Sequence, residues 1–148
     1  MAQRENIYEA LFQQIQATSP SLIEIPLFSR RFKHWDKVDL RYFPACYMRQ
    51  YEETADQGNN MGLTRWKSTV NVWFYFNATN PSNFPDATYN NLIDALETAF
   101  KPSPVTGRLT LGGQVTHCWL DGKIFYSDGA LDRKAVILVQ VHLLWNGF

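Results

Sequence analysis

The chain has 148 residues, 45% of them hydrophobic and 15% aromatic, with 14 basic and 14 acidic side chains. That length supports one domain with its own core, and the composition excludes a disordered chain. Zero net charge argues against a dedicated nucleic-acid binder, which needs an excess of Lys and Arg against phosphate; it allows a channel wall that DNA slides past without being held.

Ile7, Tyr8, Leu11, Phe12 and Ile15 recur at helical spacing, with Arg4, Glu5, Glu9, Gln13 and Gln16 on the other faces. This predicts an amphipathic helix of about four turns, ended by Thr18-Ser19-Pro20. Phe28 to Trp35 reads as a strand with Phe28 and Phe32 on one face and Arg31 and Lys33 on the other. A second strand spans about Ala45 to Glu52, followed by a loop from Glu53 to Gly62 that is too long for a tight hairpin. Arg65 to Phe76 is the clearest strand. Trp66, Val70, Val72, Phe74 and Phe76 share one face; Lys67, Thr69, Asn71, Trp73 and Tyr75 share the other.

Asn77 to Pro85 is an irregular connection. A second helix follows from about Asp86 or Ala87 to Phe100, with Tyr89, Leu92, Ile93, Leu96 and Phe100 as its stripe, Asp86 as its N-cap and Pro102 as its stop. Lys101 to Gly113, rich in proline and glycine, is a second long loop. Val115–Leu120 and Lys123–Tyr126 read as short strands joined by an Asp121-Gly122 hairpin turn, with another turn at Ser127-Asp128-Gly129. Ala135 to Trp145 is the last strand. It is apolar on both sides, as a central strand or one covered by a subunit contact would be.

The order predicts a single α+β domain: a mostly antiparallel β-sheet with two α-helices packed on one face. The uncovered sheet face would carry Trp73 and Tyr75, aromatics that a monomer rarely leaves bare.

The search for chemistry finds little. His117-Cys118 looks like a metal pair, but neighbours on a strand point to opposite faces, and no second Cys or His pair has zinc-site spacing. A Cys/His hydrolase would combine Cys46 or Cys118 with His34 or His142, yet no local motif marks an activated nucleophile. Glu52-Glu53, Asp121, Asp128 and Asp132 mostly sit where turns favour acids. Gly112-Gly113 has no Lys-Ser or Lys-Thr after it, so it is not a phosphate loop. The expectation is no enzyme, no cofactor and no metal. Met1 to Gln16 has no apolar signal-peptide core, and no apolar run approaches the ~20 residues that span a bilayer, so no membrane is expected. Cys46 and Cys118 are expected as free thiols in a reducing cytoplasm. The Arg30, Arg31, Lys33 cluster reads either as edge-strand charge against aggregation or as a contact for an acidic neighbour or passing DNA.

Taken together, the segments "RENIYEALFQQI", "SRRFKHWDKV", "FPACYMRQYEETA", "NLIDALETAFKPSPVTGRLTLGGQVTHCWLDGKI" and "GALDRKAVILVQVHLLW" resemble the bacteriophage tail terminator (tail completion) family over nearly the whole chain. Cys46 stands where an aliphatic residue is expected and Tyr51 where a small one is commoner. The resemblance implies a structural virion protein. It would form a ring, typically sixfold, that caps the head-proximal end of the tail tube, ends tube polymerisation and joins the tail to the head. Its implied partners are copies of itself, the tail tube protein and a head-tail connector or neck protein, with genomic DNA passing through the lumen unbound. Assembly would take place in the host cytoplasm. A closed ring needs two different patches per subunit. The residues expected to supply them are Arg30, Arg31, Lys33, Trp35, Trp73 and Tyr75, with Asn59, Met61, Arg108 and Leu109 from the two long loops. The rival readings are a head-closure or neck connector protein, a small ligand-binding or hydrolase domain, and a generic cellular oligomerisation domain.

Overall fold

The structure is a computed structural model that describes residues 3–22, 25, 27–34, 37–56, 64–77, 85–131 and 134–147. Its elements in chain order are α1 (Gln3–Leu22), β1 (Leu27–Ser29), β2 (Ala45–Asp56), β3 (Arg65–Asn77), α2 (Pro85–Ala99), β4 (His117–Leu131) and β5 (Lys134–Asn146), with a short 3₁₀ turn at Leu40–Tyr42. The strands form one sheet in the order β1-β2-β3-β5-β4. Every pairing is antiparallel except β1 with β2. This is the α+β architecture expected, with both helices on one face.

The alternation read in the sequence decides which face they cover. Val70, Val72, Phe74 and Phe76 of β3 join Ile137, Val139, Val141 and Leu143 of β5 in the main core, against Ile7, Leu11 and Ile15 of α1 and Leu92, Leu96 and Phe100 around α2. β5 lies between β3 and β4; on its second face Val136 is buried while Leu138 and Leu144 are half-buried. A β-bulge between Gln50 and Glu52 in β2 leaves Tyr51 as the extra, exposed residue.

Several boundaries differ from the sequence expectation. α1 continues through Thr18-Ser19-Pro20 to Leu22. Proline there removes one donor in the last turn, where a break costs least. α2 begins at Pro85, so Asp86 lies inside the first turn instead of capping it; proline's fixed φ suits the first helical position. The Asp86 and Tyr89 side chains lie outside the described residues. β1 has only three residues, not the eight from Phe28 to Trp35. β2 runs on to Asp56, and the rest of the first loop, 57–63, lies outside the described residues.

The largest correction is at Asp121-Gly122. It is not a hairpin turn, nor is Ser127-Asp128-Gly129 a turn: both lie inside the single strand β4. Leu120 pairs with Val141 and Ile124 with Val139, so Asp121, Gly122 and Lys123 face only Gln140 across the ladder. A second irregularity lies between Ser127 and Leu131. The 13-residue β5 holds both halves of β4 in line, and ladder pairing along it outweighs a local turn that would leave β5 without a partner.

Candidate assembly surfaces

α1 is fastened to the sheet at its first turns. Arg4 Nε lies 2.9 Å from Glu53, and its guanidinium sits over the rings of Trp66 and Trp145, 4.7 and 4.9 Å from their centroids. The buried Tyr8 hydroxyl donates to the same Glu53 carboxylate. Burial first, and then that bond, push the phenol up to about 12. The Trp145 indole N–H donates to Ser68 Oγ at 2.9 Å, which satisfies two buried polar groups at once.

The opposite sheet face is half covered. Phe32, Val38 and Phe43, from the segment after β1, pack over β2 and the near end of β3, building a second small core with Ala45, Tyr47, Tyr75 and Val136. Tyr75 is therefore not a bare aromatic. It is 1% exposed, and its hydroxyl donates to the Lys33 carbonyl at 2.6 Å. The alternation correctly put Tyr75 on this face, but only the fold of the covering segment decides that the face is roofed there. Trp73 is partly buried, its ring 5.6 Å from that of Phe32. Its indole nitrogen is shielded from solvent and has no hydrogen-bond partner among the described residues.

The rest of that face is open and polar. Trp119 lies between the imidazoles of His117 and His142, at centroid distances of 5.2 and 5.5 Å, with Lys67 Nζ 6.0 Å from its ring. His142 Nε2 is 3.3 Å from the Asp121 carboxylate, and Nδ1 is 3.1 Å from Thr69 Oγ1. A neutral imidazole protonated on Nε2 satisfies both: it donates to Asp121 and accepts from Thr69. The contact with His142 holds the Asp121 carboxyl below its ordinary value. The Gln140 amide donates to Asn71 at 2.9 Å beside this group. Sequence reading missed the Trp119 cluster because the hairpin placed at Asp121-Gly122 separated its members.

The predicted basic cluster divides. Arg30 is a structural clamp: it is ion-paired with Glu5 and, at 3.2 Å, with Glu9 of α1. That pairing lowers the Glu5 carboxyl and raises the guanidinium. Arg31 and Lys33 instead line a hollow of about 860 Å³ between the covering segment and β2, shared with Lys37, Asp39, Arg41 and Tyr42. Arg41 Nε lies 3.7 Å from Asp39.

Arg108 and Leu109 lie in an ordered loop. The Leu109 N–H donates to His117 Nδ1 at 3.2 Å, Leu109 packs on the core and Arg108 is exposed. Gly107, Leu111, Gly112 and Gly113 all have positive φ, so the loop's backbone needs its glycines. Trp35, Asn59 and Met61 lie outside the described residues.

The two cysteines are in the main core, far from hydrolase geometry. Burial pushes the Cys46 thiol up and the Cys118 thiol up to about 12, while His117 and His142 face the other side of the sheet. Among the described residues no three His, Cys, Asp or Glu side chains gather where they could hold a metal ion. Among the described residues, too, no helix is long and apolar enough to cross a membrane.

No family model and no curated protein sequence matches the chain. A chain in the solved virion of a native gene transfer agent particle is similar to it, with a TM-score of 0.57 at 12% identity. The likeness covers 94% of this chain and 93% of that one, so the two share a fold along almost their whole lengths.

Proposed function

We propose that this chain is a structural virion protein without catalytic activity, a ring-forming subunit that caps the head-proximal end of a phage tail tube and joins it to the head. The observation that carries this reading is the end-to-end likeness to a chain of a gene transfer agent virion. That likeness supports a structural virion protein, and the narrower tail-capping role rests on the resemblance drawn from the sequence. The surfaces favour the same reading. Among the described residues, aromatic and charged side chains are spread over both faces of the sheet, as an assembling subunit needs, and do not converge on one concave apolar pocket.

In this reading the copies close into an annulus through two different patches on each subunit, not by a symmetric two-copy contact. One side of the annulus meets tube protein and the other meets a neck protein, while DNA traverses the lumen without specific binding. The test is light scattering of the purified protein with and without the tail tube protein of the same genome. Discrete ring-sized species, or rings seated on tube ends in electron micrographs, are expected. A persistent monomer with no affinity for tube would overturn the reading. Binding to a neck protein but never to tube would reassign the chain to head closure.

A further inference from the structure

The sandwich carries opposite charge on opposite layers and opposite sheet edges. At the β1–β2 edge, on the face away from the helices, the hollow of about 860 Å³ is lined by Arg31, Lys33, Lys37 and Arg41, with Asp39 as the only described acid in its wall. At the other edge, α2 lies beside β4: Glu97, Thr98 and Phe100, with Lys101 at the mouth past the helix end, share a cleft with Leu120, Asp121 and Ile124. The sequence of α2 contains no Lys or Arg. Its exposed stripe runs Asn90, Asp94, Glu97, a helical i, i+4, i+7 row with Asn91 and Thr98 alongside. Neither Asp94 nor Glu97 forms an ion pair with a described residue. The nearest cation in sequence, Lys101, lies beyond the helix end.

In a chain of zero net charge, this separation needs a reason. A basic concavity at one edge and an acidic convex helix at the other are two different, complementary patches. They face opposite ways across the subunit, as a head-to-tail contact that closes under rotation demands. A symmetric two-copy contact would instead set like charge against like. We infer that the acidic face of α2 in one copy seats in the basic hollow of the next, with Asp94 and Glu97 against Lys37 and Arg41. This rests on the ring reading above and names the contact that makes the ring. Electrostatic complementarity of this kind steers encounter and fixes register more than it adds affinity.

The test uses two charge-reversed full-length chains, K37E/R41E and D94K/E97K, each checked for native circular dichroism. In the first chain both patches are acidic; in the second both are basic. Either chain alone is expected to assemble at least about tenfold more weakly than wild type, the scale reported for close interfacial charge pairs. An equimolar mixture is expected to recover assembly, because alternating copies restore every contact. The chain carrying all four reversals is expected to assemble by itself. Should a reversal disturb folding, the neutral pair K37Q/R41Q and D94N/E97Q reads the same contact by a weakened, less salt-dependent assembly. Wild-type rings together with reversed chains that assemble equally well would sink this contact and leave the ring standing. A wild type that stays monomeric with and without tube protein would sink both.

Discussion

On the helix-covered face of the sheet, Val70, Val72, Phe74, Ile137, Val139 and Val141 are apolar and sealed from solvent. One residue along each strand, the opposite face shows Thr69, Asn71, Gln140 and His142, bonded to one another, and a tryptophan between two histidines. The first face is closed by the chain's own helices. Among the described residues, the second is covered where Phe32, Val38 and Phe43 pack against it. The contrast teaches that one surface supplies the core that stabilises the fold, while the other leaves polar groups and an aromatic ring at the surface, where the assembly proposed above would find its contacts.

The largest expected effect is on thiol reactivity. Cys46 and Cys118 are fully buried on the sealed face with raised thiol pKa values, so the thiolate is scarce and the reagent excluded. Native protein at about pH 8 should react with a thiol reagent at least about a thousandfold more slowly than unfolded protein, because reaction waits on opening of the core. Labelling at the unfolded rate would show that this face is not sealed.

Next in size is Trp145→Ala, which removes a buried ring, its bond to Ser68 and its stack on Trp66. A loss of about 3–5 kcal/mol in urea unfolding is expected, enough to unfold a marginal domain. On the partly roofed face, Tyr75→Phe keeps the ring and removes only the hydroxyl that bonds the Lys33 carbonyl, so about 1 kcal/mol is expected. If Tyr75→Phe cost as much as Trp145→Ala, the distinction between the two faces would fail.

The smallest effect is in acid. Glu5 and Asp121 have lowered carboxyl pKa values, through Arg30 and His142 respectively. A depressed carboxyl favours the folded state above its unfolded pKa, and that contribution fades as pH falls through the folded value. The urea midpoint should therefore drop below about pH 4.5, and slightly less steeply in Arg30→Gln, which no longer depresses Glu5. Identical acid profiles for the two proteins would mean that the Arg30 clamp does not operate in solution.

Much of the fold was legible because two periodicities carry it. The apolar stripes Ile7-Leu11-Ile15 and Leu92-Leu96 identify helices, and the alternation in β3 and β5 identifies strands and assigns their faces. The basic cluster expected from the sequence is divided by the fold. Arg31 and Lys33 line the basic hollow, whereas Arg30 beside them is committed to Glu5 and Glu9, a distinction that sequence spacing cannot express. Asp94 and Glu97 were overlooked because exposed acids on a helix look like any solvated face until the cations across the molecule are located.

The sequence by itself determined the α+β class and which residues of β3 turn toward the helices, because those follow from local patterns of period 3.6 and 2. Only the tertiary structure decided that Asp121-Gly122 is a bulge, that Tyr75 lies under a roof and that opposite charges occupy opposite edges. Each of these depends on which distant segment arrives beside a residue, and a strand partner or a covering loop can outweigh the preference of the few residues that it meets.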